Sequence, residues 1–263
     1  MTEVAQLPNA AGSGKRPSFW QTQTAIGIGS VIERTRTMAD ICLITGPSGV
    51  GKTTAAITAA KARPSGWPPR LTSYVSMTKS AEGLQAGLLR IATAFGLSLP
   101  PHIGAHEAYQ ALAQRDWEAD TVLLLDEAQF MSDPLLHGLR NFWDDLDQRG
   151  QAIGIVLIGT PDLSDRINGR SKQRNRDFDP LRGRIGACIA LEPITEQDVA
   201  AVCRFYGLAG AQTERLIQLV ASGPGGLHNV RRLIAQAERL AADKGKLGYS
   251  DLKRAAELAG VAS

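Results

Sequence analysis

The stretch "ICLITGPSGVGKTT", Ile41 to Thr54, decides how the rest of the chain is read. Its first five residues form an apolar run too short for a helix, and they read as a buried strand. Gly46, Gly49 and Gly51 follow within six positions, a density that lets the backbone turn tightly and approach a partner closely. From about residue 53 to 62 the pattern is helical. A strand, a glycine-rich turn and a helix are the setting in which the spacing G-x-x-x-x-G-K-S/T, met by Gly46 to Thr53, binds phosphate. Backbone N–H groups reach the phosphate oxygens, and the helix N-terminus favours their charge. In this reading Gly46, Pro47, Ser48, Gly49, Val50 and Gly51 form the cradle for ATP. Lys52 neutralises the β- and γ-phosphates, Thr53 ligates Mg²⁺, and Thr54 stands near the α-phosphate.

Outward from this loop, apolar runs recur at "LTSYV" (71–75), "TVLLL" (121–125), "IGIVLIG" (153–159) and "ACIAL" (187–191). Helical patterns separate them at about 80–95, 105–115 and 134–149, with a further helix over 19–38 before the first strand. Apolar strands alternating with helices predict a parallel sheet covered on both faces. After Pro193 no strand is expected. Four helical segments follow, split by Gly207, by "GPGG" (223–226) and by "GKLG" (245–248), with helix starts at Thr195 and Asp198 and at Ser250 and Asp251. The expected organisation is a polar tail over 1–18, an α/β core over 19–192, and a small all-helical domain over 193–263.

"VLLLDE" ends its strand in Asp126 and Glu127, at the edge where open parallel sheets bind ligands. Asp126 is expected to hold magnesium through water, and Glu127 to polarise the water that attacks the γ-phosphate. The following strand ends in Gly159, Thr160 and Pro161, which sets the Thr160 hydroxyl at the same edge as a γ-phosphate sensor; a turn-starting threonine is the plainer reading.

Hydrophobic residues make up 43% of the chain and charged ones 21%, which argues against disordered and membrane classes. No apolar run approaches the length of a spanning helix, the N-terminal residues lack the apolar stretch of a signal peptide, and the reading is cytoplasmic. Cys42, Cys188 and Cys203 lack metal-ligand spacing and are expected to be buried free thiols. Residues 166–184 contribute seven positive and two negative side chains to a total of +3, leaving the rest of the chain at a net −2. Basicity is thus concentrated in one segment.

Taken together, the phosphate loop, "LLLDE", the polar end of the next strand, the arginines before the last strand and the helical C-terminal region resemble the AAA+ ATPases, with those helices as the lid. Within that class, "TRTMADICLITGPSGVGKTT", "DEAQ" (126–129), "LIGTPDL" (157–163) and "RGRIGACIALEPIT" resemble the transposition ATPases of the phage Mu B and TnsC/TniB type. The resemblance implies a five-stranded P-loop core with a helical lid. It also implies an ATPase that oligomerises on double-stranded DNA as a ring or filament, selects target DNA, recruits or stimulates a transposase, and leaves on hydrolysis. A neighbour's arginine would reach the γ-phosphate, with Arg182 or Arg184 in that role, and a lid arginine, Arg231 or Arg232, would touch the nucleotide. Thr78 and Lys79 match the segment that lines the DNA channel in that family. Arg170, Lys172, Arg174 and Arg176 would form a second DNA contact, or simply a solvated loop. Mu B carries a helix-turn-helix-like domain ahead of its ATPase, and no such pattern precedes Phe19 here, so DNA contacts are expected either from the ATPase ring itself or from a tail over 1–18 whose sequence announces no role. Two other readings stand beside this one: a secretion or helicase-loader ATPase, and a nucleotide-dependent protein switch that does not touch DNA.

Overall fold

The computed structural model describes residues 20–61, 71–81, 83–169, 176–241 and 247–260. In chain order they form α1 (Gln23–Met38), β1 (Ile41–Thr45), α2 (Lys52–Lys61), β2 (Thr72–Ser76), α3 (Leu84–Ala94), α4 (Ala105–Ala113) and β3 (Val122–Asp126). Then come α5 (Asp133–Gln148), β4 (Gly154–Gly159), α6 (Pro161–Ile167), α7 (Asp179–Arg182) and β5 (Ile185–Ala190). Four helices close the chain: α8 (Glu196–Tyr206), α9 (Ala211–Ser222), α10 (Leu227–Leu240) and α11 (Tyr249–Leu258). Two compact units result. One comprises Ile28–Gly46 and Ala55–Leu191; the other comprises the described residues of Met1–Gly27, Pro47–Thr54 and Glu192–Ser263.

The first unit is built on a parallel five-stranded sheet in the order β2-β3-β4-β1-β5. Its three inner strands β1, β3 and β4 are buried along their whole length, as their unbroken apolar sequences demand. Leu123, Leu124 and Leu125 are each 0% exposed, and burying such a side chain contributes about 1.5–3 kcal/mol. Leu123, Leu125, Ile155 and Leu157 pack on one face with Leu88 and Ile91 of α3, Leu112 of α4 and Leu135, Leu139 and Phe142 of α5. Pairing Ser76 with Asp126 and Thr45 with Gly159 brings the carboxyl ends of these strands to one edge.

One expectation fails here. Cys188 is exposed, whereas Cys42 and Cys203 are buried. Residues of β5 alternate between half-buried and exposed because β5 is the last strand of the sheet, so its apolar composition did not report two covered faces.

In the second unit, α8 opens with a reciprocal cap. Thr195 Oγ1 accepts from the Asp198 N–H, and the Asp198 carboxylate accepts from the Thr195 N–H at 2.9 Å. The other Asp198 oxygen accepts the Gln23 N–H at 2.6 Å, which ties the start of α1 to this unit. Val199, Val202, Ile217, Val230, Ile234 and Leu252 form its core. The last helix starts one residue before Ser250, because the Asp251 carboxylate reaches back to the Gly248 N–H at 3.2 Å and so places the cap at Gly248.

Candidate functional site

In the second unit, the loop Pro47–Gly51 adopts the conformation its glycines permit. Gly49 and Gly51 have φ of +83° and +101°, values that side-chain-bearing residues rarely take. Gly49 is further constrained by close approach: a Cβ there would lie 2.5 Å from the Gly225 carbonyl oxygen. The Leu227 N–H donates to the Gly49 carbonyl at 2.9 Å, so α10, which carries Arg231 and Arg232, starts on the loop itself. Val50 is buried at 2% exposure and anchors the loop, whereas Ser48, Thr53 and Thr54 are exposed. Lys52 is the first residue of α2, is only 8% exposed, and donates from Nζ to the Pro47 carbonyl at 2.7 Å. That bond folds the ammonium back over the loop. Arg231 and Arg232 are both exposed, outside the buried stripe of Leu227, Val230, Leu233 and Ile234.

In the first unit, the sheet edge gathers Asp126, Glu127 and Thr160. Asp126 is 1% exposed, and each of its carboxylate oxygens accepts one bond: Oδ1 from the Glu127 N–H at 2.9 Å, Oδ2 from the Tyr74 hydroxyl at 2.9 Å. Burial first, and the Asp126 charge second, push the Tyr74 hydroxyl well above its ordinary pKa, so it stays a donor. Sequence reasoning passed over Tyr74. Its signal lies in the register, since Tyr74 and Ser76 pair with Leu124 and Asp126 and therefore share their face.

Glu127 leaves the strand with φ of +56°, a left-handed turn uncommon for a residue with a side chain. A 3-10 turn, Ala128–Phe130, follows and carries Gln129 back toward the edge. Gln129 Nε2 donates to Glu127 Oε2 at 2.5 Å, and Gln129 Oε1 accepts the Thr160 N–H at 3.3 Å. "DEAQ" drew attention to this residue, but nothing in the sequence assigned it a role. Thr160 precedes α6 and makes no side-chain cap, and its Oγ1 is buried without a partner among the described residues. Such an atom suits a ligand oxygen.

Arg182 donates to the Ile167 carbonyl at 2.6 Å and pairs with Asp179. Arg184, directly before β5, holds Asp144 with Nε at 2.9 Å and a second nitrogen at 3.4 Å. Thr78 and Lys79 follow β2; the Thr78 hydroxyl bonds that of Ser80 at 2.9 Å, and exposed Lys79 lies 5.9 Å from the Phe130 ring centre. Arg170, Lys172 and Arg174 lie outside the described residues, as does the side chain of Arg176. Among the described residues no helix is long and apolar enough to cross a membrane.

Residues 35–167 match the AAA domain family, and residues 183–258 match the family of the Mu B transposition protein, C terminal. The chain is 26% identical over 253 residues to the ATP-dependent target DNA activator B of Escherichia phage Mu, covering 96% of this chain and 75% of that protein. It is 25% identical over 212 residues to the Mu-like prophage FluMu DNA transposition protein B of Haemophilus influenzae, covering 80% and 69%. Among solved structures the fold is similar to the ORC2 protein of Aeropyrum pernix, with TM-score 0.65, 18% identity, and 92% and 70% of the two chains covered. Cdc6p of Pyrobaculum aerophilum gives 0.64 and 16%, covering 94% and 69%.

Proposed function

The chain belongs to the AAA domain family and carries a C-terminal region of the Mu B transposition type, and from this we propose that it is an ATPase acting on target DNA in transposition. The phosphate loop carries the reading: positive-φ glycines, a buried lysine opening α2, and the helix N-terminus together suit a nucleotide triphosphate. Lys52 binds the β- and γ-phosphates, and Gly46 to Thr54 supply the cradle. Thr53 and Asp126 offer hard oxygen donors, the kind magnesium prefers when it shares its shell with phosphate and water. Bound magnesium supplies charge neutralisation at the phosphates. Glu127 orients and polarises the attacking water, and the Thr160 hydroxyl reads the γ-phosphate. Arg184 or Arg182 completes the site of a neighbouring subunit, and Arg231 or Arg232 contacts nucleotide from the C-terminal region.

We place double-stranded DNA on the backbone-contacting residues Thr78 and Lys79, with Arg170, Lys172, Arg174 and Arg176 as a second contact, so binding is independent of sequence and sensitive to salt. ATP binding assembles the chain on DNA, where it engages a transposase, and hydrolysis releases it. The core over 19–192 does the chemistry and the region over 193–263 acts as the lid. The test is negative-stain microscopy with duplex DNA and magnesium, with and without ATP. DNA-bound oligomers that need ATP, are lost in Lys52→Ala and persist in slowly hydrolysing Glu127→Gln are expected. Monomers that ignore duplex DNA in the presence of ATP refute the reading.

A further inference from the structure

The Gln129 side chain joins two residues given separate tasks above, and its chemistry allows one orientation. Glu127 as a carboxylate only accepts hydrogen bonds, so the Gln129 NH₂ must face it. The Thr160 backbone N–H only donates, so the Gln129 carbonyl oxygen must face that end. The amide is therefore locked at both ends. Its backbone is held as well, because the Gln129 carbonyl accepts from Arg166 at 3.5 Å, and Arg166 is itself tied to Asp133. Gly159 completes the fit, since a Cβ there would come within 2.8 Å of Gln129 Oε1. The left-handed turn at Glu127 is what aims Gln129 back at the residue two places before it.

We propose that Gln129 is the positioning residue of the hydrolytic step: it anchors one carboxylate oxygen of Glu127, leaves the other for water, and registers that carboxylate against Thr160. The inference rests on the roles proposed for Glu127 and Thr160. A carboxylate pinned by one short bond keeps its second oxygen within a narrow range, whereas a free glutamate samples several rotamers and meets the water in few of them. Fixing Glu127 and the Thr160 backbone through one amide also makes displacement at either end felt at the other.

Gln129→Met keeps the length and apolar stem of the side chain and removes both bonds. Its single-turnover hydrolysis rate with ATP, magnesium and DNA is expected to fall roughly tenfold or more, with the affinity for a fluorescent ATP analogue within twofold of the parent. A structural role alone would lower affinity and rate together. In a Glu127→Gln background the same substitution is expected to change the residual rate less than twofold, because the group it positions is already gone. Gln129→Glu, which keeps an acceptor for Thr160 but opposes two carboxylates, is expected to be as slow as Gln129→Met. Unchanged or faster turnover in Gln129→Met overturns the inference, as do multiplicative losses in the double variant. If Glu127→Gln itself hydrolyses ATP normally, the proposed role of Glu127 has failed instead.

Discussion

Replacing Tyr74 by Phe removes one oxygen from the molecule and tests whether the buried Asp126 depends on it. The Tyr74 hydroxyl donates to Asp126 Oδ2 at 2.9 Å, and Asp126 is 1% exposed, so water does not replace the lost donor freely. A hydrogen bond to a charged group contributes about 1.5–3 kcal/mol, and the phenyl ring keeps the packing, so the destabilisation falls in that range. For a domain of this size that corresponds to a melting temperature lower by roughly 4–10 °C. Because Tyr74 is held protonated well above its ordinary range, the difference between parent and variant is full below the unfolded tyrosine pKa. It is lost as pH rises through the raised folded value. A second consequence is functional, since an unanchored Asp126 presents its oxygens less well and the magnesium requirement of ATP hydrolysis should rise roughly tenfold. Differential scanning calorimetry across pH and a magnesium titration of turnover measure both. A variant with the parent's melting temperature and magnesium requirement would show that the bond holds nothing in place.

Three further outcomes follow from the geometry. Gly49→Ala combines a positive φ with a Cβ 2.5 Å from the Gly225 carbonyl, whereas Gly96→Ala, at φ +77° with nothing within 4 Å, bears the backbone strain alone. In paired melts and nucleotide titrations, Gly96→Ala should cost about 1 kcal/mol and Gly49→Ala clearly more, together with loss of ATP binding; equal behaviour would show that the loop does not need that approach. Arg184→Ala and Arg182→Ala should each bind ATP normally as isolated chains, and the one that serves a neighbour should lower DNA-stimulated turnover on the order of a thousandfold. Full turnover in both excludes both from that role. Maleimide near neutral pH should label Cys188 first, because Cys42 and Cys203 are 0% and 2% exposed and burial pushes the Cys203 thiol up to about 11. Peptide mass spectrometry showing Cys203 labelled as fast as Cys188 in the native protein would contradict the packing of α8.

Most of what positions the phosphate loop is legible in the sequence, since it depends on local pattern. "ICLIT" could be only a short buried run, and three glycines with a lysine at fixed spacing carry their own conformational and electrostatic requirements. Asp126 and Glu127 stood out because an apolar run ended in them. Alternation of strands and helices also predicted the parallel sheet, and Thr195 with Asp198 announced the start of α8 by a chemistry confined to four residues.

What lay beyond reach depends on neighbours that the chain brings together from a distance. Cys188 sits in a run as apolar as the others, and its exposure follows from β5 being the last strand of the sheet, a matter of strand order. Tyr74 meets Asp126 because β2 pairs with β3 in one register, and a shift of one residue would turn it to the other face. Arg184 finds Asp144, forty residues away, only once α5 packs beneath the sheet. Gln129 was visible as a letter two places after Glu127, yet its bridge to Thr160 needs a left-handed turn that no residue type there announces. The sequence by itself thus determined the groups proposed to handle phosphate, because their chemistry is carried by adjacent residues. The tertiary structure decided which side chains hold those groups in place, because that depends on register, strand order and a single backbone angle.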